Sequence, residues 1–195
     1  MYPPNQQDWF IEFLTVRDAE RDQGEWARVE LSAGHFALRA FEFSPLLTFN
    51  PSETPSGILC ARTEMMALAN LLEHPRIKPE FMSALFAERR IKRTNKDLGR
   101  VLAIAFLAAD EDKESWAREW NLALQRCFPK RRAELATKAG HGLRALLDSA
   151  NDFEEALHTC ANGLLAHRRV TLEQLRIAGE RLMLDAIEPL ANAER

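Results

Sequence analysis

Apolar and polar positions alternate in the first third of the chain and recur at helical spacing in the rest. Trp9, Ile11 and Phe13 fall on one face of a strand candidate over 9–16, and Phe10, Glu12 and Leu14 on the other. A strand apolar on both faces is one covered on both sides. Ala27, Val29 and Leu31 alternate with Arg28 and Glu30, the pattern of a half-exposed strand. Ala33-Gly34 breaks the run. Phe36 to Phe43 predicts another strand, Leu46 to Phe49 a shorter one and Ile58 to Cys60 a last one. Between the last two, Pro51, Pro55 and Gly57 mark a loop.

From Arg62 onward the period changes. Thr63 caps a predicted helix through Leu72 or Glu73, with Pro75 just beyond. Lys78-Pro79 opens a second helix to about Arg90, since proline is tolerated in a first turn. Thr94 or Asn95 caps a third, whose Leu98, Val101, Leu102 and Ala105 share one face at i, i+3, i+4, i+7. A fourth runs from Asp112 to Cys127. A fifth starts at Pro129 and passes through Gly140-His141-Gly142, where two glycines predict a break or kink. Asn151 caps a sixth, and Thr171 with Gln174 forms a capping box for the last. There Leu172, Leu175, Gly179, Leu182 and Ala186 form the inward stripe.

The expected fold class is therefore α+β: a small mixed sheet over about residues 9–61, then a mostly helical bundle over about 62–188. The expected division is an α+β region, 1–110, with a C-terminal helical region, 111–195, packed on it.

The 195 residues carry 26 Lys+Arg against 29 Asp+Glu, a net charge of −3. This near balance argues against a surface wholly devoted to gripping nucleic acid. Cys60, Cys127 and Cys160 lie far apart with no CxxC spacing, which suits a reducing compartment. The first residues lack the cationic and apolar regions of a signal peptide. The longest weakly polar run, Val101 to Ala109, is far short of a membrane span. The expected location is the cytoplasm, away from membranes.

His35, His74, His141, His158 and His167 form no HExxH and no Cys/His ligand pattern. No GxSxG and no glycine-rich phosphate loop is present. A basic cluster, Arg89, Arg90, Lys92, Arg93, Lys96 and Arg100, can contact phosphates, though a solvated helix end and loop is the favoured reading. Lys130, Arg131 and Arg132 form a second basic group in a first helical turn, where the helix dipole disfavours them. No aromatic residue interleaves with either cluster, so base stacking is not indicated. Glu12 is a charge among apolar neighbours, which demands a cation or a structural partner such as Arg28 or Arg39. Trp116 and Trp120, four apart, offer a binding anchor or ordinary core packing.

Three segments resemble the rear portion of nucleotidyltransferase-fold proteins of the AbiEii-like, toxin-related bacterial group. They are Trp9-Phe10-Ile11-Glu12-Phe13-Leu14-Thr15, the step from Gly57 through Arg62-Thr63-Glu64 to Leu72, and Arg93-Thr94-Asn95-Lys96-Asp97-Leu98. The resemblance covers about half the chain. It implies Glu12 as a metal-binding catalytic carboxylate, Lys96 as a phosphate contact and Asp97 as a residue orienting neighbouring basic groups. The family's Gly-Ser and Asp-x-Asp motif, which holds two divalent ions, is absent. Asn70 stands where the family often has Lys.

Two functions follow. One is a catalytically inactive interaction module for a protein partner, less well supported for nucleic acid, needing no cofactor. The other is the rear part of a split nucleotidyltransferase that uses Mg2+ and a nucleoside triphosphate, with a protein or RNA acceptor. A third reading is an unrelated α+β protein. The oligomeric state is left open.

Overall fold

A computed structural model describes residues 14–15, 26–32, 34–73, 82 and 85–193. The fold is α+β, and the chain divides into two compact units, Met1–Pro45 and Leu46–Arg195. The expected division at 110/111 falls inside the second unit.

The first unit holds a three-stranded mixed sheet of β1 (Leu14–Thr15), β2 (Trp26–Leu31) and β3 (Gly34–Ala40), in the order β1-β3-β2. β2 and β3 form an antiparallel hairpin in which Val29 faces Phe36 and Leu31 faces Gly34. The turn falls at the predicted break, where Gly34 takes φ +133°, a conformation open to glycine. β1 runs parallel to β3, with Leu14 opposite Arg39. Glu12 lies outside the described residues.

α1 (Ser44–Leu47), which spans the boundary between the units, replaces the strand expected over 46–49. A short apolar run does not outweigh a Ser-Pro start, which sets the first helical φ. β4 (Ser52–Glu53) and β5 (Leu59–Cys60) form a short antiparallel hairpin, so the expected loop contains one strand. The helices are α2 (Thr63–Glu73), α3 (Arg93–Leu107), α4 (Asp110–Cys127), α5 (Arg132–Lys138), α6 (His141–Asp148), α7 (Ala150–Ala161), α8 (Leu172–Leu182) and α9 (Glu188–Asn192). The expected fifth helix is broken at Gly140, giving α5 and α6. Between α8 and α9 the chain makes a π turn, Met183–Ile187. Pro189 explains it. Lacking an N–H, it cannot close the α-helical bond to Asp185, and the Glu188 N–H bonds Met183 instead.

α3 is the central element, packed against α2, α6, α7 and α8. All four residues of its predicted stripe are buried, as are Ala103 and Ile104. Of the stripe read for α8, Leu175, Gly179, Leu182 and Ala186 are buried, while Leu172 is exposed at the edge. α3 and α7 approach closely at Gly99, where an added Cβ would lie 2.9 Å from the Ala156 carbonyl oxygen. The buried Cys160 thiol donates to the Gly99 carbonyl at 3.0 Å. Burial pushes this thiol up to about 12, so it stays protonated and unreactive. α4 packs on α2, α5, the π turn and α9. Trp116 and Trp120 are buried in that packing, as core and not as an exposed anchor. No described helix is long and apolar enough to cross a membrane.

Candidate functional site

The basic cluster divides into exposed residues and half-exposed ones. Residues 85–92 form no helix, contrary to the helix expected up to Arg90. Phe86 and Arg89 instead exchange backbone bonds at 2.8 and 3.0 Å around a tight turn. Its central residues, Ala87 and Glu88, take φ 44° and 66°. Positive φ at both centres is the geometry of a type I′ turn, usually made by Asn or Gly and costly for alanine. The turn is held from outside. His158 on α7 bonds the Phe86 carbonyl through Nε2 at 3.1 Å, and the two rings meet edge to face. Arg89, Arg90 and Arg93 are exposed around it.

Lys92 is half-exposed and held by acidic partners. Its ammonium lies 2.6 Å from Asp152 Oδ1, and its backbone N–H donates to Glu155 Oε2 at 3.0 Å. Asn95 Nδ2 donates to both carboxylates at 2.8 Å, and Ser149 Oγ donates to Asp152 Oδ2 at 2.9 Å. Burial works against the charge on Asp152, yet the donors Lys92, Asn95 and Ser149 hold it below its ordinary range. The Asp152 hydrogen bond raises Lys92 in turn. Both carboxylates sit at the N-terminus of α3, where Glu155 accepts a backbone N–H and Asp152 holds the Lys92 and Asn95 side chains. The expected caps, Thr94 and Asn95, sit within the helix, and Lys92 takes the N-cap position without a side-chain bond of its own. At the other end Lys113, 4 % exposed, donates to the Ala105 and Ala108 carbonyls at 3.3 Å. Anions at the N-terminus and a cation at the C-terminus both complement the α3 dipole.

The remaining candidates lie on the seam between α2 and α3. Asn70 is buried. Its Nδ2 donates to the Met66 carbonyl at 2.7 Å and its Oδ1 accepts from Arg100 at 3.4 Å. The Arg100 guanidinium also lies 4.0 Å from Asp97, whose side chain is 13 % exposed. Burial pushes the Asp97 carboxyl above its ordinary range, against the pull of Arg100, Lys96 and Arg93. Lys96 is half-buried beside it. The structure thus brings Asn70, Lys96, Asp97 and Arg100 to one seam.

The sign of the Asp97 shift gives a prediction. A raised folded value means that the folded chain binds this proton more tightly than the unfolded chain. The gain is complete at pH below 3.8 and is lost as pH rises through the folded value. At neutral pH the ionised, desolvated carboxylate is a net cost. Asp97→Asn is therefore expected to unfold in urea at an equal or higher midpoint at pH 7, with the difference shrinking towards pH 3. A clear loss of stability at pH 7 would show instead that the Arg100 pairing outweighs desolvation.

The second basic group is offset by its own helix. Arg131 and Lys138 both pair with Glu134, at 3.1 and 2.6 Å, and hold its carboxyl down at about 2. Arg132 donates to Asn121 at 2.8 Å. Among the described residues no group of three or more His, Cys, Asp or Glu could hold a metal ion.

The residues that reading along the chain missed are Asp152 and Glu155. Ser149-x-x-Asp152 is a cap signature, but the partners of these acids lie about 60 positions earlier, beyond any local pattern. Comparison with known proteins gives no match: no family model, curated protein or solved structure is similar to the chain.

Proposed function

We propose that the chain is an interaction module, inactive by itself, that engages an acidic surface of a protein partner through Arg89, Arg90 and Arg93. The observation that carries this reading is the turn at Phe86–Arg89. Two non-glycine residues are held at positive φ, and His158 fixes the turn from α7. Backbone held in a costly conformation from outside is a mark of functional segments, and here it displays three exposed arginines. Guanidinium forks suit paired contact with carboxylates. Lys92 and Asn95, committed to Asp152 and Glu155, act as the scaffold of this display.

The test is fluorescence anisotropy of a labelled poly-glutamate peptide, with a single-stranded oligonucleotide alongside. The double change Arg89→Glu, Arg93→Glu is expected to weaken peptide binding by at least about tenfold, with an unchanged unfolding midpoint. Peptide binding that survives the double reversal would sink the proposal. Preference for the oligonucleotide would replace the acidic protein with nucleic acid.

Descent from the nucleotidyltransferase fold is part of the same proposal, supported by the three short segments that resemble that family. The split-transferase alternative draws on one observation. Asp97 sits within the field of Arg100, Lys96 and Arg93, as a residue orienting basic groups towards a phosphate would. In that reading Glu12 holds a metal ion. Transfer from a labelled nucleoside triphosphate with Mg2+, lost on Glu12→Ala, would establish it.

A further inference from the structure

A second feature, on the other side of α7, is independent of the basic turn. The N-terminal turns of α7 and α8 enclose a cleft of about 320 Å³, lined by Ala150, Phe153, Glu154, Leu172, Glu173 and Arg176. This is near the lower end of the size of small-molecule sites, roughly 300–1,000 Å³. Its floor is apolar, with Phe153 buried and Leu172 at the edge. Arg176 is fixed on that floor. Its guanidinium carbon lies 4.7 Å from the Phe153 ring centre, and Nη1 donates to the Leu147 carbonyl at 2.8 Å. Nε and Nη2 have no hydrogen-bond partner among the described residues. Glu154 and Glu173 have neither a hydrogen bond nor an ion pair there.

From this combination we infer that the cleft binds a small zwitterion with an apolar body, of the amino-acid class. A simple anion would meet two carboxylates, and a simple cation would face a guanidinium with open donors. Either ligand meets a like charge at the cleft, which disfavours it against one that carries both charges. A ligand with a carboxylate for Arg176, an ammonium for Glu154 and Glu173, and a hydrocarbon or ring for Phe153 and Leu172 satisfies all three features. One face of α7 thereby supports α3 through Asp152 and Glu155, while Glu154 serves the cleft.

The test is titration calorimetry of the full chain with L-phenylalanine, phenethylamine and 3-phenylpropionate, which share one ring and differ in charge. Phenylalanine is expected to bind at least about tenfold more tightly than either analogue. Glu173→Gln, at an exposed position, is expected to weaken phenylalanine and leave phenylpropionate equal or tighter. Arg176→Gln should abolish the preference of phenylalanine over phenethylamine. Equal binding of all three would reduce the cleft to an apolar hollow, and no binding at millimolar concentration would exclude it as a site. Either result overturns the inference. Charge reversal at Arg89 and Arg93 should leave these titrations unchanged, so this test and that of the acidic-surface reading can fail separately.

Discussion

Replacing Trp120 by alanine is expected to lower the unfolding free energy by about 3–5 kcal/mol, the usual range for emptying a buried aromatic site. Trp120 is fully buried on α4, and its ring centre is 5.7 Å from that of Trp116. Its indole Nε1 also donates to the Glu64 carbonyl at 2.8 Å, tying α4 to the first turn of α2. The same turn carries the buried Glu64 carboxylate, paired with Arg62, which reaches on to Glu119 at 3.5 Å. The change therefore leaves a cavity and removes the second hydrogen bond of a carbonyl that keeps its helical partner in α2. Against a domain stability of about 5–15 kcal/mol, this is a large share. Urea unfolding followed by circular dichroism would measure it. Trp120→Phe separates the two contributions, keeping much of the volume but no donor, and should cost about 1–3 kcal/mol. A midpoint unchanged in Trp120→Ala would mean that α4 is not docked on α2 as described.

The second large effect is expected at Gly99. Helix propensity alone favours alanine over glycine by about 1 kcal/mol. The helix crossing predicts the opposite sign. A Cβ at Gly99 would lie 2.9 Å from the Ala156 carbonyl oxygen and 3.0 Å from Thr159 Cβ. The carbonyl belongs to helical backbone and cannot rotate aside. Gly99→Ala should therefore destabilise the chain despite its better propensity. Gly99→Val, with more bulk at the same point, should cost about 3 kcal/mol, at the upper end of ordinary overpacking. The displaced α7 would also draw Asp152 and Glu155 away from Lys92 and Asn95. Faster hydrogen exchange at the Lys92 amide, which Glu155 protects, would report that loosening. A stabilising alanine would show that α3 and α7 lie farther apart than described.

Features that rest on neighbours in the chain were legible beforehand. The α3 stripe is a matter of spacing. The Thr171 and Gln174 box is present with both reciprocal bonds, because its partners are three residues apart. The break between α5 and α6 follows from the glycines. Features that rest on distant partners were not legible. Nothing local in Ala87-Glu88 announces left-handed backbone, since the turn is fixed by His158, about 70 positions later. Lys92 reads as one member of a basic run, yet its charge is committed to Asp152. The seam at Asn70, Asp97 and Arg100 was half visible. Asn70 and Asp97 were singled out in separate segments and Arg100 in the basic run, but only packing brings them together, and the burial that raises the Asp97 carboxyl comes from that packing.

The caps of α3 carry a consequence for the order of folding. The carboxylates that close its first turn arrive about 60 residues after it, and the ammonium that closes its last turn comes from α4. A chain emerging from the ribosome exposes the apolar sides of α3 long before α7 and α8 exist to cover them. Closing such distant contacts is entropically slow. The central helix of the second unit is thus among the earlier elements to be synthesised and among the last to be secured.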